Sequence, residues 1–374
     1  MEDLERFRGM IKERIGLGVH ATYQGNIPYH VYNWFYYKEA FSRNLVLEVI
    51  KDFGLEKGIV LDPFCGSGTT LLACKELGIS SIGFDIQPSA VNASNAKVLD
   101  YDVPEVRKIL KDILSKDVKD AGISENSFAK KAFSEYSWRQ LSFYMAEIDM
   151  LPSNLSPFFR LALTRAAIRA SSCFRDGAVI KFGKRKQANV KRLFRMEAGR
   201  MLKGYRIFGK ISKGGYCKAF FGSSLRMPLK SGTIDAVITS PPYVNQDDYL
   251  TAYAVENLMA GKNIAKDFME SKAYGPELKG LPVPEACLKY FSLILESLRE
   301  IFRVCRRGAK VAIVMGNGHV EKRVVESDVI AALLAEKAGF SARGIYVLNR
   351  RFALVGRTRK AGVLRESLVL LEKG

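Results

Sequence analysis

Residues 59–77 combine a carboxylate with two closely spaced glycines, a pattern that can bind a small ligand. The apolar residues 59–61 predict a buried strand that ends at Asp62, and residues 69–77 have the spacing of a helix. Gly66 and Gly68 lie between the two elements, where the backbone must take a positive φ or approach a ligand more closely than a Cβ allows. The stretch therefore predicts a strand, a tight turn and a helix.

The residues of this turn indicate the kind of ligand. A phosphate loop would end in Gly-Lys-Ser/Thr, and a dinucleotide loop would have a third glycine where this chain has Leu71. A carboxylate at the strand end is a poor neighbour for phosphate. It suits a ligand that carries an ammonium and a sulfonium, as S-adenosylmethionine does. An ordinary turn between a strand and a helix is the structural alternative.

A second motif follows another predicted strand. Residues 234–239 form an apolar run that leads directly into Ser240-Pro241-Pro242-Tyr243. The stretch Asp62-Pro63-Phe64-Cys65-Gly66-Ser67-Gly68-Thr69-Thr70 resembles the cofactor motif of the S-adenosylmethionine-dependent nucleic-acid amino-methyltransferases, which modify cytosine N4 or adenine N6. The tetrapeptide resembles their catalytic motif of the Ser-Pro-Pro-Tyr type. Two such motifs, each at the end of a strand, are more specific than either alone.

The resemblance implies a role for each matching residue. The cofactor, S-adenosylmethionine, is expected to contact Asp62, Pro63, Phe64, Cys65, Gly66, Gly68, Thr69, Asp85, Ile86, Ser223 and Tyr29. The catalytic residues are expected to be Ser240, Pro241, Pro242 and Tyr243. Asp85 ends the second strand, where an acid can accept both ribose hydroxyls; a helix cap is its structural alternative. Ser223 stands where the family commonly has an acid, and Tyr29 lies in a segment expected to cover the cofactor.

The chemistry of the second motif concerns an exocyclic base amine, which is a weak nucleophile because its lone pair is delocalised into the ring. Two acceptors, Ser240 Oγ and the Pro241 carbonyl, would hold both amine hydrogens and so favour a pyramidal nitrogen. Pro242 would fix the turn, and Tyr243 would stack on the extruded base. In the resembled family, serine at the first position goes mainly with cytosine N4. Residues 245–249 are a candidate lining of the base pocket.

These motifs need a sheet to bring them together. Strands at 59–62, 81–86, 234–239 and 310–315, helices at 89–98 and 329–337, and an antiparallel pair at 342–348 and 367–371 predict an α/β fold. We expect a seven-stranded Rossmann-like class I methyltransferase sheet with a basic, mainly helical insertion. The predicted domains are 1–99, an N-terminal cover with the first half of the methyltransferase domain; 100–215, the insertion; and 216–374, the second half.

The charge of the chain predicts a polyanionic partner. Its 58 Lys and Arg exceed its 39 Asp and Glu, a net charge of +19 over 374 residues. Residues 151–215 hold sixteen of the basic and two of the acidic residues. The candidate nucleic-acid contacts are Lys184, Arg185, Lys186, Lys191, Arg192 and Arg195. A solvated basic face is the alternative.

The same segment bears on the choice between RNA and DNA. It contains few Asn and Gln, the amides that join arginine in reading base edges, so it favours phosphate and shape recognition of structured RNA, such as ribosomal cytidine. The leading interpretation is an N4-cytosine methyltransferase acting on RNA, with an archaeal RNA cytidine N4-methyltransferase as the specific candidate. A DNA N4-cytosine or N6-adenine methylase is the rival. A non-catalytic nucleic-acid-binding protein on the same fold is the third possibility.

The composition predicts the location of the protein and argues against disulfide bonds and metal sites. No apolar run approaches the roughly 18 residues of a membrane span, and the first residues are acidic, so we expect a soluble, cytoplasmic protein. The six cysteines show no Cys-x-x-Cys spacing, and there are three histidines, so neither a disulfide framework nor a metal site is expected. The sequence leaves the oligomeric state open.

Overall fold

The computed structural model describes residues 2–118, 126–176, 179–184, 187–244, 252–261, 278, 280–355 and 359–374. The helices in this part of the chain are α1 (Glu2–Gly9), α2 (Arg43–Phe53), α3 (Thr69–Leu77), α4 (Pro88–Val98), α5 (Val103–Ser115), α6 (Ser127–Ala132), α7 (Glu135–Asp149), α8 (Ser156–Ala170), α9 (Val190–Phe208), α10 (Ala254–Met259), α11 (Leu288–Val304) and α12 (Ser327–Lys337). The strands are β1 (Ile11–Glu13), β2 (Ile59–Asp62), β3 (Ser80–Asp85), β4 (Cys173–Asp176), β5 (Val179–Phe182), β6 (Cys217–Phe221), β7 (Ile234–Thr239), β8 (Cys305–Gly316), β9 (Gly318–Val320), β10 (Arg323–Val325), β11 (Phe340–Val355) and β12 (Arg359–Lys373).

The main sheet confirms the α/β prediction. Its strand order is β1-β11-β12-β8-β7-β2-β3-β6. The five strands from β8 to β6 run parallel, and β12 pairs antiparallel with both β8 and β11. The strands predicted at 59–62 and 234–239 have the predicted bounds.

The sheet has eight strands among the described residues, one more than the seven expected. The additional strand is β1, which pairs parallel with β11 at the sheet edge. It was missed because it is three residues long, two of them charged, and because Leu4, Phe7, Ile11 and Ile15 have helical spacing. The helix ends at Gly9 instead.

Helices cover both faces of the sheet because neighbouring strand residues point to opposite sides. Val60 belongs to one buried cluster, with α2, α3 and the helices of residues 103–208. Leu61 belongs to the other, with α1, α11 and α12. The central strands are therefore buried on both faces, as their continuous apolar sequence predicts.

The segment between β3 and β6 is mainly helical, with a two-stranded hairpin of β4 and β5. Side chains of α5, α7, α8 and α9 share one hydrophobic cluster with the sheet residues Val60, Ala236 and Ile238. The predicted domain boundaries at 99/100 and 215/216 stay a prediction. In the part of the chain that the structure describes, no helix is both long and apolar enough to cross a membrane.

A buried carboxylate ties α12 to the end of the sheet. Asp328, which is fully buried, accepts hydrogen bonds from Arg365 Nε at 3.0 Å and from Ser367 Oγ at 2.8 Å. Arg365 also pairs with Glu326. This network fixes the stretch of β12 that includes Glu366, a residue of the site described below.

Replacing Asp328 with alanine should lower the free energy of unfolding by about 3 to 5 kcal/mol, because the half-buried Arg365 guanidinium loses its principal partner. Urea unfolding followed by circular dichroism measures this loss. The matched control is Arg343→Ala, which removes an exposed pair with Glu372 and should cost less than about 1 kcal/mol. Equal losses in the two variants would show that the buried network stabilises the fold no more than an exposed ion pair does.

Candidate active site

The carboxyl ends of β2 and β7 bring the two sequence motifs together. The strands are parallel neighbours, with Val60 opposite Ala236 and Leu61 opposite Val237. At their ends, Thr239 Oγ1 donates a 2.6 Å hydrogen bond to Asp62 Oδ1. The residue after Asp62 begins the glycine turn, and the residue after Thr239 begins the Ser-Pro-Pro-Tyr motif. One hydrogen bond thus joins the two predicted halves of the site.

The turn after β2 requires its two glycines. Gly66 has φ +47° and Gly68 has φ +77°, values that other residues rarely adopt. A Cβ on Gly66 would lie 3.0 Å from the ring of Tyr37, and a Cβ on Gly68 would lie 2.7 Å from Ser94 Oγ. The backbone here is in close contact with its surroundings on both sides.

Asp85 closes the turn from the neighbouring strand. Its Oδ2 accepts a hydrogen bond from the Gly66 amide, and its Oδ1 accepts one from the Gln87 amide, both at 2.8 Å. The Cys65 amide donates to the Phe84 carbonyl at 2.9 Å, which holds the turn against β3. Asp85 therefore has a structural role in the turn, and its carboxylate retains further lone pairs for a ligand.

Both carboxylates are unusually hard to ionise. Burial raises the pKa of Asp62 to about 6, although hydrogen bonds from Thr239 and Thr70 and from the Phe64 amide act in the opposite direction. Burial likewise raises the pKa of Asp85 to about 6 against its backbone hydrogen bonds. The charge of a cationic ligand beside these groups would stabilise their ionised forms and offset the cost of burying them.

A buried lysine supports the turn from behind. Lys97 Nζ donates a 2.8 Å hydrogen bond to the Ser67 carbonyl. Burial, together with the charge of Arg165, lowers the pKa of Lys97 to about 7. Sequence reasoning missed this residue, because a single lysine in a helix is ordinarily solvated.

A cavity of about 870 Å³ opens above the two motifs. It is lined by most of the predicted site: Asp62, Pro63, Phe64, Cys65, Gly66, Thr69, Asp85, Ile86, Ser223, Ser240, Pro241, Pro242 and Tyr243. Gly68 is not in the lining; it lies behind the turn, against Ser94. Ser223 Oγ accepts the Leu225 amide at 3.2 Å and keeps a second lone pair for an amine.

Tyr29 is not among the residues that line this cavity, and its contact with the cofactor stays a prediction. Its ring lies 4.7 Å from the Arg43 guanidinium and packs edge-on against Tyr32. The buried Asn26 holds this segment, because its side chain donates to the Phe41 carbonyl and accepts from the Arg43 amide. Residues on either side of the segment, 21–22 and 36–41, line the cavity.

Stacked aromatic rings form the wall of the cavity near residues 36–41. The rings of Tyr37 and Tyr253 are stacked with centroids 4.8 Å apart, and Phe35 stacks against Tyr253. Tyr253 Oη also donates to Glu39 at 2.6 Å. Tyr37 belongs to an aromatic-rich part of the sequence, whereas Tyr253 comes from a distant part of the chain and no sequence pattern indicates it.

The ring of Tyr243 is held by two residues that sequence reasoning missed. It lies over Gly316 so closely that a Cβ there would be 2.4 Å from the ring. Its Oη donates a 2.7 Å hydrogen bond to Glu366 Oε1. Gly316 and Glu366 are opposite each other on β8 and β12. Burial raises the pKa of Glu366, and the hydrogen bond from Tyr243 partly reverses this shift.

The predicted nucleic-acid residues lie outside the cavity. Lys184, Arg192 and Arg195 are exposed and Lys191 is half-buried, the last three in the first two turns of α9. Arg185, Lys186 and the candidate base-pocket residues 245–249 lie outside the described part of the chain. Contact of these residues with a substrate stays a prediction.

Comparisons with known proteins include the glycine turn and much of the rest of the chain. A family model described as DNA methylase, N6_N4_Mtase, matches residues 17–96, which contain the glycine turn. The type II methyltransferase M.BsoBI from Geobacillus stearothermophilus is 26% identical over 420 aligned positions, which cover 88% of this chain and 82% of that protein. The chain is an S-adenosylmethionine-dependent methyltransferase.

Two further comparisons are more limited. The type II methyltransferase M.MjaII from Methanocaldococcus jannaschii is 42% identical to this chain over 87 residues, which are 23% of this chain and 16% of that protein. The solved structure of a SAM-dependent methyltransferase from Methanosarcina mazei is 10% identical, covers 87% of this chain and 96% of its own, and has a TM-score of 0.33. The fold assignment rests on the strand order above, not on that likeness.

The residues at the turn fit the cofactor of the methyltransferase. We propose that Asp62 faces its ammonium, that Asp85 accepts its ribose hydroxyls, and that Ile86 contacts its adenine. The support is a pair of acceptors, the buried Asp62 carboxylate and the half-buried Asp85 carboxylate, beside a glycine turn into which no Cβ fits. An anionic group at this place would be repelled by both carboxylates.

This assignment predicts that affinity for S-adenosylmethionine falls as the pH drops through about 6, because the protonated form of Asp62 no longer attracts the ammonium. Thr239→Val removes a donor that favours the ionised form, so it should raise the pKa of Asp62 and move the loss of affinity to higher pH. Calorimetric titration at several pH values measures both effects.

The control is Thr233→Val, which removes an exposed hydroxyl bonded to the Lys230 carbonyl and should leave the profile unchanged. An affinity that stays constant through this pH range in the unmodified protein would exclude ionised Asp62 as the cofactor's partner.

Proposed function

We propose that the methyltransferase transfers a methyl group to the exocyclic N4 amine of cytosine in DNA. The observation that carries this proposal is the shared cavity, in which the proposed cofactor turn and Ser240-Pro241-Pro242-Tyr243 are joined by the Asp62–Thr239 hydrogen bond. Its volume of about 870 Å³ is near the upper end of the roughly 300 to 1,000 Å³ of pockets that hold one drug-sized ligand. A base can therefore lie beside the cofactor.

The residues of the motif would activate the amine by accepting its hydrogens. Ser240 Oγ and the Pro241 carbonyl are the two acceptors, and the rigid prolines direct them without competing N–H donors. Acceptance of both hydrogens returns the lone pair to the nitrogen. Bound S-adenosylmethionine supplies an electrophilic methyl group on a sulfonium that departs as a neutral thioether.

Tyr243 would support the extruded base by stacking. Its ring has little freedom, since Gly316 lies directly beneath it and Glu366 holds its hydroxyl. A fixed ring loses little entropy when a base stacks on it. Glu366 and Gly316 therefore act as positioning residues for Tyr243.

DNA is preferred here over the structured RNA that the basic composition favoured. The matching family model is described as DNA methylase, and M.BsoBI is a type II methyltransferase aligned over most of both chains. Serine at the first motif position supports cytosine N4, because the resembled family uses aspartate mainly for adenine N6. The intact motif beside a large cavity argues against a non-catalytic binding protein.

Ser240→Ala should lower kcat by about a hundredfold, because one of two acceptors that act in the transition state is lost, and should leave cofactor affinity unchanged. Tyr243→Ala should lower kcat/KM more than Tyr243→Phe, which keeps the ring and loses the bond to Glu366. Single-turnover methylation and calorimetry measure these effects. Full activity of both alanine variants would place the catalytic residues elsewhere.

The substrate is tested by methyl transfer from labelled cofactor to genomic DNA and to total RNA, followed by mass spectrometry of the nucleosides. The proposal predicts N4-methyldeoxycytidine. Label confined to RNA would overturn the choice of DNA, and N6-methyladenine would overturn the choice of cytosine. Absence of label from both nucleic acids would favour the non-catalytic alternative.

A further inference from the structure

A second cavity adjoins the active-site cavity. It has a volume of about 330 Å³, and Tyr36 and Ala252 line both cavities. Its other walls come from α8, α9, α10 and the β4–β5 hairpin, elements that contribute nothing to the proposed methyl-transfer chemistry. The cavity is thus separate from the cofactor site but connected to it through Tyr36.

The walls of this second cavity are rich in aromatic side chains. Trp34 and Phe35 line it with buried side chains, whereas the side chains of Tyr36 and Phe174 are 47% and 53% exposed. Two aromatic rings that line one cavity and stay about half exposed offer flat faces on which a planar ligand can stack. Every nucleobase presents a flat face that can do so.

A buried glutamate arranges arginines beside these rings. Glu197, which is 1% exposed, accepts from Arg165 Nε at 2.9 Å and from Arg169 at 2.8 Å, and it pairs with Arg200 at 3.1 Å. Burial opposes ionisation of Glu197, but the hydrogen bonds from Arg169 and Arg165 outweigh burial, so its pKa lies below its ordinary value.

This arrangement leaves donors available at the cavity. Three guanidinium groups share one carboxylate, and the Arg169 side chain remains 45% exposed. Glu256 also lines the cavity, so two carboxylates lie among its walls. Their charges disfavour a phosphate there, whereas an arginine N–H can pair with the O6 or N7 edge of a guanine.

One face of α9 is basic. Arg192, Arg195, Lys203 and Arg206 are exposed at intervals of three, eight and three residues, and so lie along one face of the helix. This face is opposite to the buried Glu197, so the basic stripe is not part of the cavity. Arg200, one turn after Glu197, pairs with that glutamate and remains exposed.

We propose that the second cavity binds another base of the nucleic-acid substrate, close to the one that is methylated. The base stacks against Tyr36 and Phe174, and Arg169 reads its edge. This inference rests on the proposed function, because it assumes a nucleic-acid substrate. It adds a site that selects sequence next to the target base.

Photo-crosslinking tests the contact directly. Random-sequence DNA duplexes with 5-iodopyrimidines or 8-bromopurines are irradiated with the full-length protein, and mass spectrometry identifies the attached peptides. We expect attachment at Tyr36 or Phe174 in addition to Tyr243. Crosslinks elsewhere, with none at residues 34–36 or 174, would overturn the proposal, as would a failure of the protein to bind the duplexes.

Variants at the cavity give the second measurement. Phe174→Ala and Arg169→Gln should each weaken duplex binding by about tenfold without changing affinity for S-adenosylmethionine. The matched controls are Tyr136→Ala, a half-exposed tyrosine on α7, and Arg343→Gln, an exposed arginine with one carboxylate partner. The controls should bind duplexes within about twofold of the unmodified protein.

The outcomes separate this proposal from the proposed function. Methyl transfer to DNA together with unchanged duplex affinity in Phe174→Ala and Arg169→Gln would refute the second base site alone. Crosslinks at Tyr36 or Phe174 without methyl transfer to DNA or RNA would support the base site and refute the proposed function.

Discussion

The hydrogen bond between Thr239 and Asp62 is the constraint on which the rest of the active site depends. It joins the ends of two parallel strands that are far apart in the sequence, and it fixes the carboxylate of one motif beside the first residue of the other. Parallel strands end at the same edge of the sheet, so two loops with unrelated sequences share one cavity. The position of the proposed amine acceptors relative to the cofactor turn is therefore set by backbone pairing within the sheet.

The charges around that bond explain why the site suits a cation. Asp62 is buried and Asp85 is half-buried at a turn whose backbone is already in close contact with Tyr37 and Ser94. Without a ligand these carboxylates are destabilised, as their raised pKa values show. Lys97 lies on the other side of the turn and donates to the Ser67 carbonyl, not to the carboxylates. Carboxylates with raised pKa values are typical of binding sites, where a bound ligand can stabilise their ionised forms.

The sequence predicted the parts of the site that are local in the chain. The strand at 59–62, the helix at 69–77 and the strand at 234–239 follow from short apolar patterns and from glycines, and the structure confirms them. Contacts between distant segments could not be predicted in this way. Tyr253 and Glu366 reach the cavity through tertiary packing, and the short charged strand β1 carries no periodic signal. The predicted contact of Tyr29 with the cofactor stays a prediction, since its ring packs on Arg43 and Tyr32 outside the cavity lining.

The central claim is that cofactor and target amine meet above the Asp62–Thr239 hydrogen bond. A crystal structure with a cytosine-containing DNA duplex and sinefungin, in which an amine replaces the transferable methyl group, tests it most directly. We predict that this amine lies about 3 to 3.5 Å from N4 of an extruded cytosine whose N4 hydrogens contact Ser240 Oγ and the Pro241 carbonyl. A cytosine that remains in the duplex, or an analogue bound away from the turn at Gly66, would contradict the account.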